Sequence, residues 1–140
     1  MKKSGSAHWS GSIKEGQGTI STQTGVLREA PYGFKSRFED GPGTNPEELL
    51  GAAHAACYSM ALSLGLGEAG LTAESIDTRA VVSLDKDGDG FTISAVHLTC
   101  EARIPGADQA TFERIAEATK HGCPVSKVLK ARITLDARLL

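Results

Sequence analysis

Asn45-Pro46-Glu47-Glu48-Leu49-Leu50-Gly51-Ala52-Ala53-His54-Ala55-Ala56-Cys57 decides how the rest of the chain is read. It predicts the start of a long helix. Asn45 suits an N-cap, whose side-chain oxygen takes up an orphan amide, and Pro46 suits the first helical position. Glu48, three residues after Asn45, can close a capping box onto the Asn45 amide, which leaves Glu47 free for another partner. From Leu49 to Gly67 there is no Asp, Glu, Lys or Arg. A helix without a polar face is expected to be buried on every side. The alanines and Gly51 allow another backbone to come close. Gly65 and Gly67 predict an end near Leu64, with a further turn around Glu68 closed by Gly70.

Working outward, residues 7–14 and 17–23 predict two short strands joined at Gly16, with Trp9, Ile13 and Ile20 as their apolar points. Gly25 to Pro31 is read as a loop or hairpin. Phe34, Ser36 and Phe38 alternate with Lys35 and Arg37, a strand pattern. Asp40-Gly41-Pro42-Gly43 is a turn cluster leading to the Asn45 cap. Downstream, residues 76–85 and 91–104 predict two strands around Lys86–Gly90. In the second, Val96, Leu98, Cys100, Ala102 and Ile104 share a face. Asp108 caps a helix with the stripe Phe112, Ile115, Ala116 and Thr119, and Gly122 fits its C′ position. Cys123 precedes Pro124, which opens a short helix with Val125, Val128 and Leu129 inward. At the end Ile133, Leu135, Ala137 and Leu139 alternate with polar residues. The whole predicts one α+β domain over residues 1–140, its sheets covering the apolar helix.

At 140 residues the chain can bury a real core. A net charge of −2 with 23% charged residues implies neither nucleic acid nor an anionic membrane as partner. Leu49–Gly67 is long enough to raise the question of a membrane span, but His54, Ser59, Ser63 and the glycines argue against one. Lys2 and Lys3 precede no apolar run, so no signal peptide is expected. Three cysteines without an export signal point to the reducing cytoplasm. Asp85, Asp87, Asp89 and Gly90 imitate half an EF-hand loop, but Val96 stands where its bidentate Glu belongs. A solvated hairpin turn is the reading adopted.

Cys100, on an apolar strand face, reads as a small core residue. Cys123 stands where one helix stops and another starts, where amide donors favour a thiolate. Cys57 reads either as packing or as a redox group. His54 and Cys57, with His121 and Cys123, also supply the ligand types of a Cys₂His₂ zinc site, although not the spacing of one.

The chain resembles the OsmC/Ohr family, the osmotically induced protein C and organic hydroperoxide resistance proteins, and is closer to the OsmC branch. The resemblance rests on Trp9, Pro31-Tyr32-Gly33-Phe34 with Arg37-Phe38, Gly43-Thr44-Asn45-Pro46-Glu47-Glu48-Leu49, Ala52-Ala53-His54-Ala55-Ala56-Cys57 and Gly122-Cys123-Pro124-Val125-Ser126. It spans nearly the whole chain in order. It implies an OsmC-like fold, with antiparallel sheets wrapped around a central buried helix in an intertwined homodimer. It also implies a thiol peroxidase that needs no metal or organic cofactor. Cys57 would attack an organic hydroperoxide and Cys123 would resolve the product to a disulfide. Arg37 and Glu47 would complete the site, and a dithiol or lipoyl group would supply electrons.

The residue chemistry agrees. Only a thiolate is a competent nucleophile, and burial alone opposes its formation. Arg37 stays charged when buried, and its fork can pair with Glu47 and still direct a donor at sulfur or peroxide. Acids are favoured in a first helical turn in any case, which is the plain reading of Glu47. Glu47 and Cys57 lie ten residues apart, about 15 Å along a helix axis. Either the helix breaks near Gly51, or Glu47 of one subunit serves Cys57 of the other. The unbroken run of small residues favours the second. An apolar-ligand carrier and a zinc-binding structural protein are the alternative functions.

Overall fold

In the computed structural model, which describes residues 1–140, the chain begins with a small antiparallel sheet. β1 (Gly5–Ser10) pairs with β2 (Gln17–Thr22), and β2 pairs with β3 (Ala30–Tyr32). Gly18 sits opposite both Trp9 and Tyr32, and a Cβ there would meet the Tyr32 ring at 2.2 Å. Only a glycine lets the two rings approach, and their centroids lie 5.5 Å apart.

The segment after β3 departs from the strand expected of it. Phe34–Phe38 is one turn of helix, α1. A five-residue alternation also satisfies helical i, i+4 spacing, so the same pattern puts Phe34 against Phe38, ring centroids 5.0 Å apart. Ser36 settles the choice. Its buried hydroxyl accepts from Gly33 N–H at 2.9 Å and faces the carbonyls of Thr44 at 2.8 Å and Gly33 at 3.1 Å. A side chain that bonds backbone three residues earlier folds the chain back on itself, which no strand permits.

Asn45 then opens the long helix α2 (Pro46–Glu68) as expected, its Oδ1 accepting from Glu48 N–H at 2.8 Å. The reverse half of the capping box is replaced. The Glu48 carboxylate accepts from the Thr44 hydroxyl instead, and the Asn45 side-chain Nδ2 donates to Ser36 O at 3.0 Å. The chain divides into two compact units, Met1–Leu49 and Leu50–Leu140.

In the second unit α2 runs past Leu64 without a break. Gly65 is a point of close approach, not a stop, since a Cβ there would meet Ile115 Cγ2 at 2.9 Å. The stop comes at Gly70, in the left-handed region at φ +73°. His54, Tyr58, Leu62 and Leu66 recur every four residues and are fully buried. Burial on every side is not observed in the single chain: Ala52, Ala53, Ala56, Met60 and Leu64 are exposed. Absence of charge marks a helix that avoids water, and does not require that its own chain cover every face.

β4 (Ser75–Asp87) and β5 (Gly90–Arg103) form the expected hairpin, and Val96, Leu98, Cys100, Ala102 and Ile104 are all buried. Two of the three EF-hand-like carboxylates are engaged within this hairpin, Asp85 accepting from Ser94 and Asp87 from Thr92. α3 (Gln109–Gly122) is capped by Asp108, which accepts from Thr111 N–H at 2.8 Å. It buries Phe112, Ile115, Ala116 and Thr119, the stripe read from the sequence. α4 (Pro124–Val128) follows, with Val125 and Leu129 packed on the core but Val128 facing solvent. β6 (Arg132–Leu139) lies parallel to β5, so this sheet is mixed and not antiparallel throughout. Two helices separate β5 from β6, and a crossover of that length returns the chain in the same direction. The core joins the α2 face, the inner face of β4–β5–β6 and the α3 stripe. Each large apolar side chain buried there contributes about 1.5–3 kcal/mol.

Candidate functional site

Two clusters of functional groups form, one in each unit. In the first, α1 presents Arg37 and the first turn of α2 presents Glu47. Arg37 Nε and Nη2 donate to Glu47 Oε1 at 3.1 and 2.8 Å. The Arg37 side chain is 37% exposed and that of Glu47 only 11%, so the guanidinium faces outward while the carboxylate holds it from beneath. Nη1 stays outside the pair. The other carboxylate oxygen, Glu47 Oε2, is buried without a hydrogen-bond partner. The guanidinium carbon lies 5.3 Å from the Phe38 ring centroid. Beside it opens a cleft of about 280 Å³ lined by Trp9, Ile13, Tyr32, Gly33, Phe34, Arg37 and Phe38. One cation on an aromatic wall can orient a ligand that is polar at one end and apolar at the other.

In the second unit α2 supplies Cys57 and the junction of α3 with α4 supplies Cys123. Cys57 is half-buried, Cys123 is fully buried, and both are free thiols. They lie near enough for each thiol to influence the other's ionisation. Burial pushes the Cys57 thiol up, a hydrogen bond with the Val125 backbone pulls it down, and contact with Cys123 pushes it up again. The net direction is upward, so this unit by itself does not favour the Cys57 thiolate. Cys100 is buried in the core, and desolvation pushes it up as well.

Cys123 ends α3 and caps α4, with Ser126 N–H directed at its sulfur at 3.4 Å. Ser126 Oγ lies 3.1 Å from Cys123 Sγ and 2.7 Å from His54 Nε2. Burial pushes the His54 imidazole down, which keeps it neutral at neutral pH. The partnership of His54 and Ser126 could not be read from the sequence. The two are 72 positions apart, and no local pattern links them.

The structure therefore brings Arg37 to Glu47 and Cys57 to Cys123. The four residues of the zinc alternative do not assemble. His54 faces Ser126, whereas His121 is exposed and faces Glu117 at 3.2 Å. No group of three or more His, Cys, Asp or Glu side chains is placed to hold a metal. The α2 helix is long and apolar enough to cross a membrane, but its Tyr58, Leu62 and Leu66 face is part of the core.

Comparison with known proteins gives one answer at two levels. A family described as OsmC-like protein matches residues 39–138. Peroxiredoxin OsmC of Escherichia coli (strain K12) is 62% identical over 139 residues, covering 99% of this chain and 97% of its own. The organic hydroperoxide resistance protein OhrB of Bacillus subtilis (strain 168) is 27% identical over 123 residues, covering 87% and 88% of the two chains. Among solved structures, an OsmC-like protein of unknown function from Vibrio cholerae superposes with a TM-score of 0.76 at 15% identity, covering 98% and 99% of the two chains. That likeness concerns the fold.

Proposed function

The chain belongs to the OsmC-like protein family, and from that premise we propose that it reduces organic hydroperoxides to alcohols through a Cys57 sulfenic acid and a Cys57–Cys123 disulfide. The protein is a cysteine-based peroxidase, as the names of its relatives indicate. The observation that carries the finer reading is that two free thiols, Cys57 half-buried and Cys123 fully buried, are placed as neighbours at the α2 and α3–α4 elements. The half-buried thiol attacks and the fully buried one resolves.

Cys57 attacks as the thiolate. Its sulfur bonds to one peroxide oxygen, the O–O bond breaks, and the other oxygen leaves as an alcohol after taking a proton. Cys123 then displaces water from the sulfenic acid before overoxidation, giving a disulfide. A dithiol or lipoyl reductant restores both thiols. Burial opposes the Cys57 thiolate, so a cation must be brought to it. Arg37 is the group proposed, because Glu47 orients its fork and leaves Nη1 free. The aromatic cleft beside Arg37 suits the alkyl part of an organic hydroperoxide better than it suits hydrogen peroxide.

The active unit is a homodimer with shared sites. Ten positions separate Glu47 from Cys57, which in a straight helix amounts to about 15 Å. Glu47 Oε2 lacks a partner within the chain. The exposed Ala52, Ala53, Ala56, Met60 and Leu64 make an apolar, small-residue surface that suits close helix pairing across a two-fold axis. The Arg37–Glu47 pair of one subunit then serves Cys57 of the other. The reducing cytoplasm is the proposed location.

The test is turnover of cumene hydroperoxide with dithiothreitol, which an apolar-ligand carrier would not support. Cys57→Ser abolishes peroxide consumption. Cys123→Ser completes one turnover and leaves a trappable sulfenic acid on Cys57. Cys100→Ser changes stability at most. An active Cys57→Ser protein, together with a Cys123→Ser protein that accumulates no sulfenate, refutes these roles.

A further inference from the structure

His54 has no part in the cycle described above, yet it is fully buried and joined to the resolving cysteine. Its Nε2 lies 2.7 Å from Ser126 Oγ, and Ser126 Oγ lies 3.1 Å from Cys123 Sγ. Its other nitrogen, Nδ1, is buried with no partner. An imidazole used only for filling space is a costly choice there, because a buried unpaired polar atom costs about 1–3 kcal/mol that an apolar side chain avoids. The one contact that repays this cost leads through a hydroxyl to a thiol. Three residues from α2, from the α3–α4 junction and from α4 thus form a continuous hydrogen-bonded line that ends at sulfur.

We propose that Ser126 and His54 form a proton relay that serves Cys123 in the resolving step. The inference rests on the cysteine roles proposed above. Ser126 touches the reacting sulfur and is the catalytic residue of the relay. His54 acts through it and is a positioning residue that also receives the displaced proton. As Cys123 attacks, its S–H bond breaks, and the proton passes to Ser126 Oγ while the Ser126 proton passes to His54 Nε2. The freed sulfur pair forms the S–S bond with Cys57, whose S–O bond breaks. The oxygen leaves with the bonding pair as hydroxide and takes up a proton to become water, balanced by the proton that His54 releases. The Cys57 sulfur is reduced and the Cys123 sulfur is oxidised, with no outside reagent. Burial keeps the resting imidazole neutral, so with the ring proton on Nδ1 its Nε2 is open to accept. A buried imidazolium is costly, so the proton is held only for the duration of the step.

The experiment separates the two chemical steps. Reduced protein receives one equivalent of cumene hydroperoxide and is quenched at intervals, alkylated and weighed as intact protein. Thiol, sulfenic acid, disulfide and sulfinic acid populations are then read against time. General acid–base assistance contributes about 10²–10⁴-fold. In Ser126→Ala and His54→Gln, disulfide formation is therefore expected to slow by about 100-fold relative to sulfenic acid formation. When a second equivalent of cumene hydroperoxide is added, sulfinic acid on Cys57 rises in these variants because the sulfenic acid survives longer to meet it. Ser126→Thr, which keeps the hydroxyl, restores most of the rate. Should His54→Gln fail to fold, the two Ser126 variants decide the matter. The relay is overturned if Ser126→Ala forms the disulfide at the wild-type rate. It is also overturned if both steps fall together with the melting temperature, the mark of a structural role. A wild-type protein that never forms the Cys57–Cys123 disulfide refutes the cysteine roles themselves, and the relay with them.

Discussion

Replacing Ser36 by alanine tests the link from a local fold to a functional group. Ser36 is 8% exposed, and its hydroxyl holds α1 closed by accepting from Gly33 N–H at 2.9 Å and donating to Thr44 O at 2.8 Å. The alanine variant strands one donor and one acceptor. A lost hydrogen bond is worth about 1 kcal/mol net, and a group left buried and unpaired costs about 1–3 kcal/mol. Both groups are only part-buried, so water recovers some of that cost, and the expected loss is about 2–3 kcal/mol. For a chain of this size each kcal/mol lowers the melting temperature by roughly 2–4 °C, hence a fall of about 4–12 °C. The exposed neighbour Lys35, changed to alanine, should alter stability by no more than about 0.5 kcal/mol. Arg37 follows Ser36 directly, so a loosened turn spreads the guanidinium over several positions. A displacement of about 1 Å in a catalytic group can cost 100-fold in rate. Thermal unfolding and kcat/KM for cumene hydroperoxide at a temperature where the variant is folded are the two readouts. A melting temperature matching that of Lys35→Ala would refute the account of the turn. A destabilised variant with full kcat/KM would refute its connection to Arg37.

Arg37→Met should slow alkylation of Cys57 near neutral pH, with part of the loss recovered at higher pH. Arg37→Lys should do worse than its charge suggests, because the fork is lost; unaltered Cys57 titration in Arg37→Met would exclude the role. Mixing Glu47→Ala with Cys57→Ser under conditions of subunit exchange should regain activity, since a heterodimer then holds one site with a native Glu47 and a native Cys57. Proven exchange without recovery defeats the shared site. Stability should decline at both ends of the pH range, and urea midpoints measured across it are the check. The folded value of His54 is pushed below 6.5 by burial, so the unfolded chain binds the proton first and stability is lost as pH falls below that value. Burial pushes Cys57 and Cys100 above 9.0, so the unfolded chain releases protons first and stability falls as pH rises past it. A midpoint that stays constant through both ranges contradicts these directions.

Much of this architecture is carried by short-range rules and was legible in residue order. Asn45 before Pro46 announces α2, Asp108 announces α3, and the apolar alternation of Val96 to Ile104 announces the buried face of β5. Each depends on neighbours within a few positions, where propensity, capping and periodicity act. Cys57 and Cys123 stood out from their placement in and between helices, whereas Arg37 and Glu47 were raised only by the family resemblance. Where the rules ran out, the cause was distance or degeneracy. Five residues from Phe34 to Phe38 satisfy both a period of two and an i, i+4 contact, and the Ser36 hydroxyl, bonded to Gly33 three positions back and held by Thr44 eight positions on, selected the helix. Alternation marked β6 as a strand, but only the crossover through α3 and α4 made it parallel to β5. An uncharged α2 said that the helix avoids water, but not that Ala53, Ala56 and Met60 would lie bare in the single chain. The His54–Ser126–Cys123 line spans 72 positions, and only packing makes those residues neighbours. A hydrogen bond acts over about 3 Å of space whatever the sequence separation, so contacts of that kind exist only once the chain has folded.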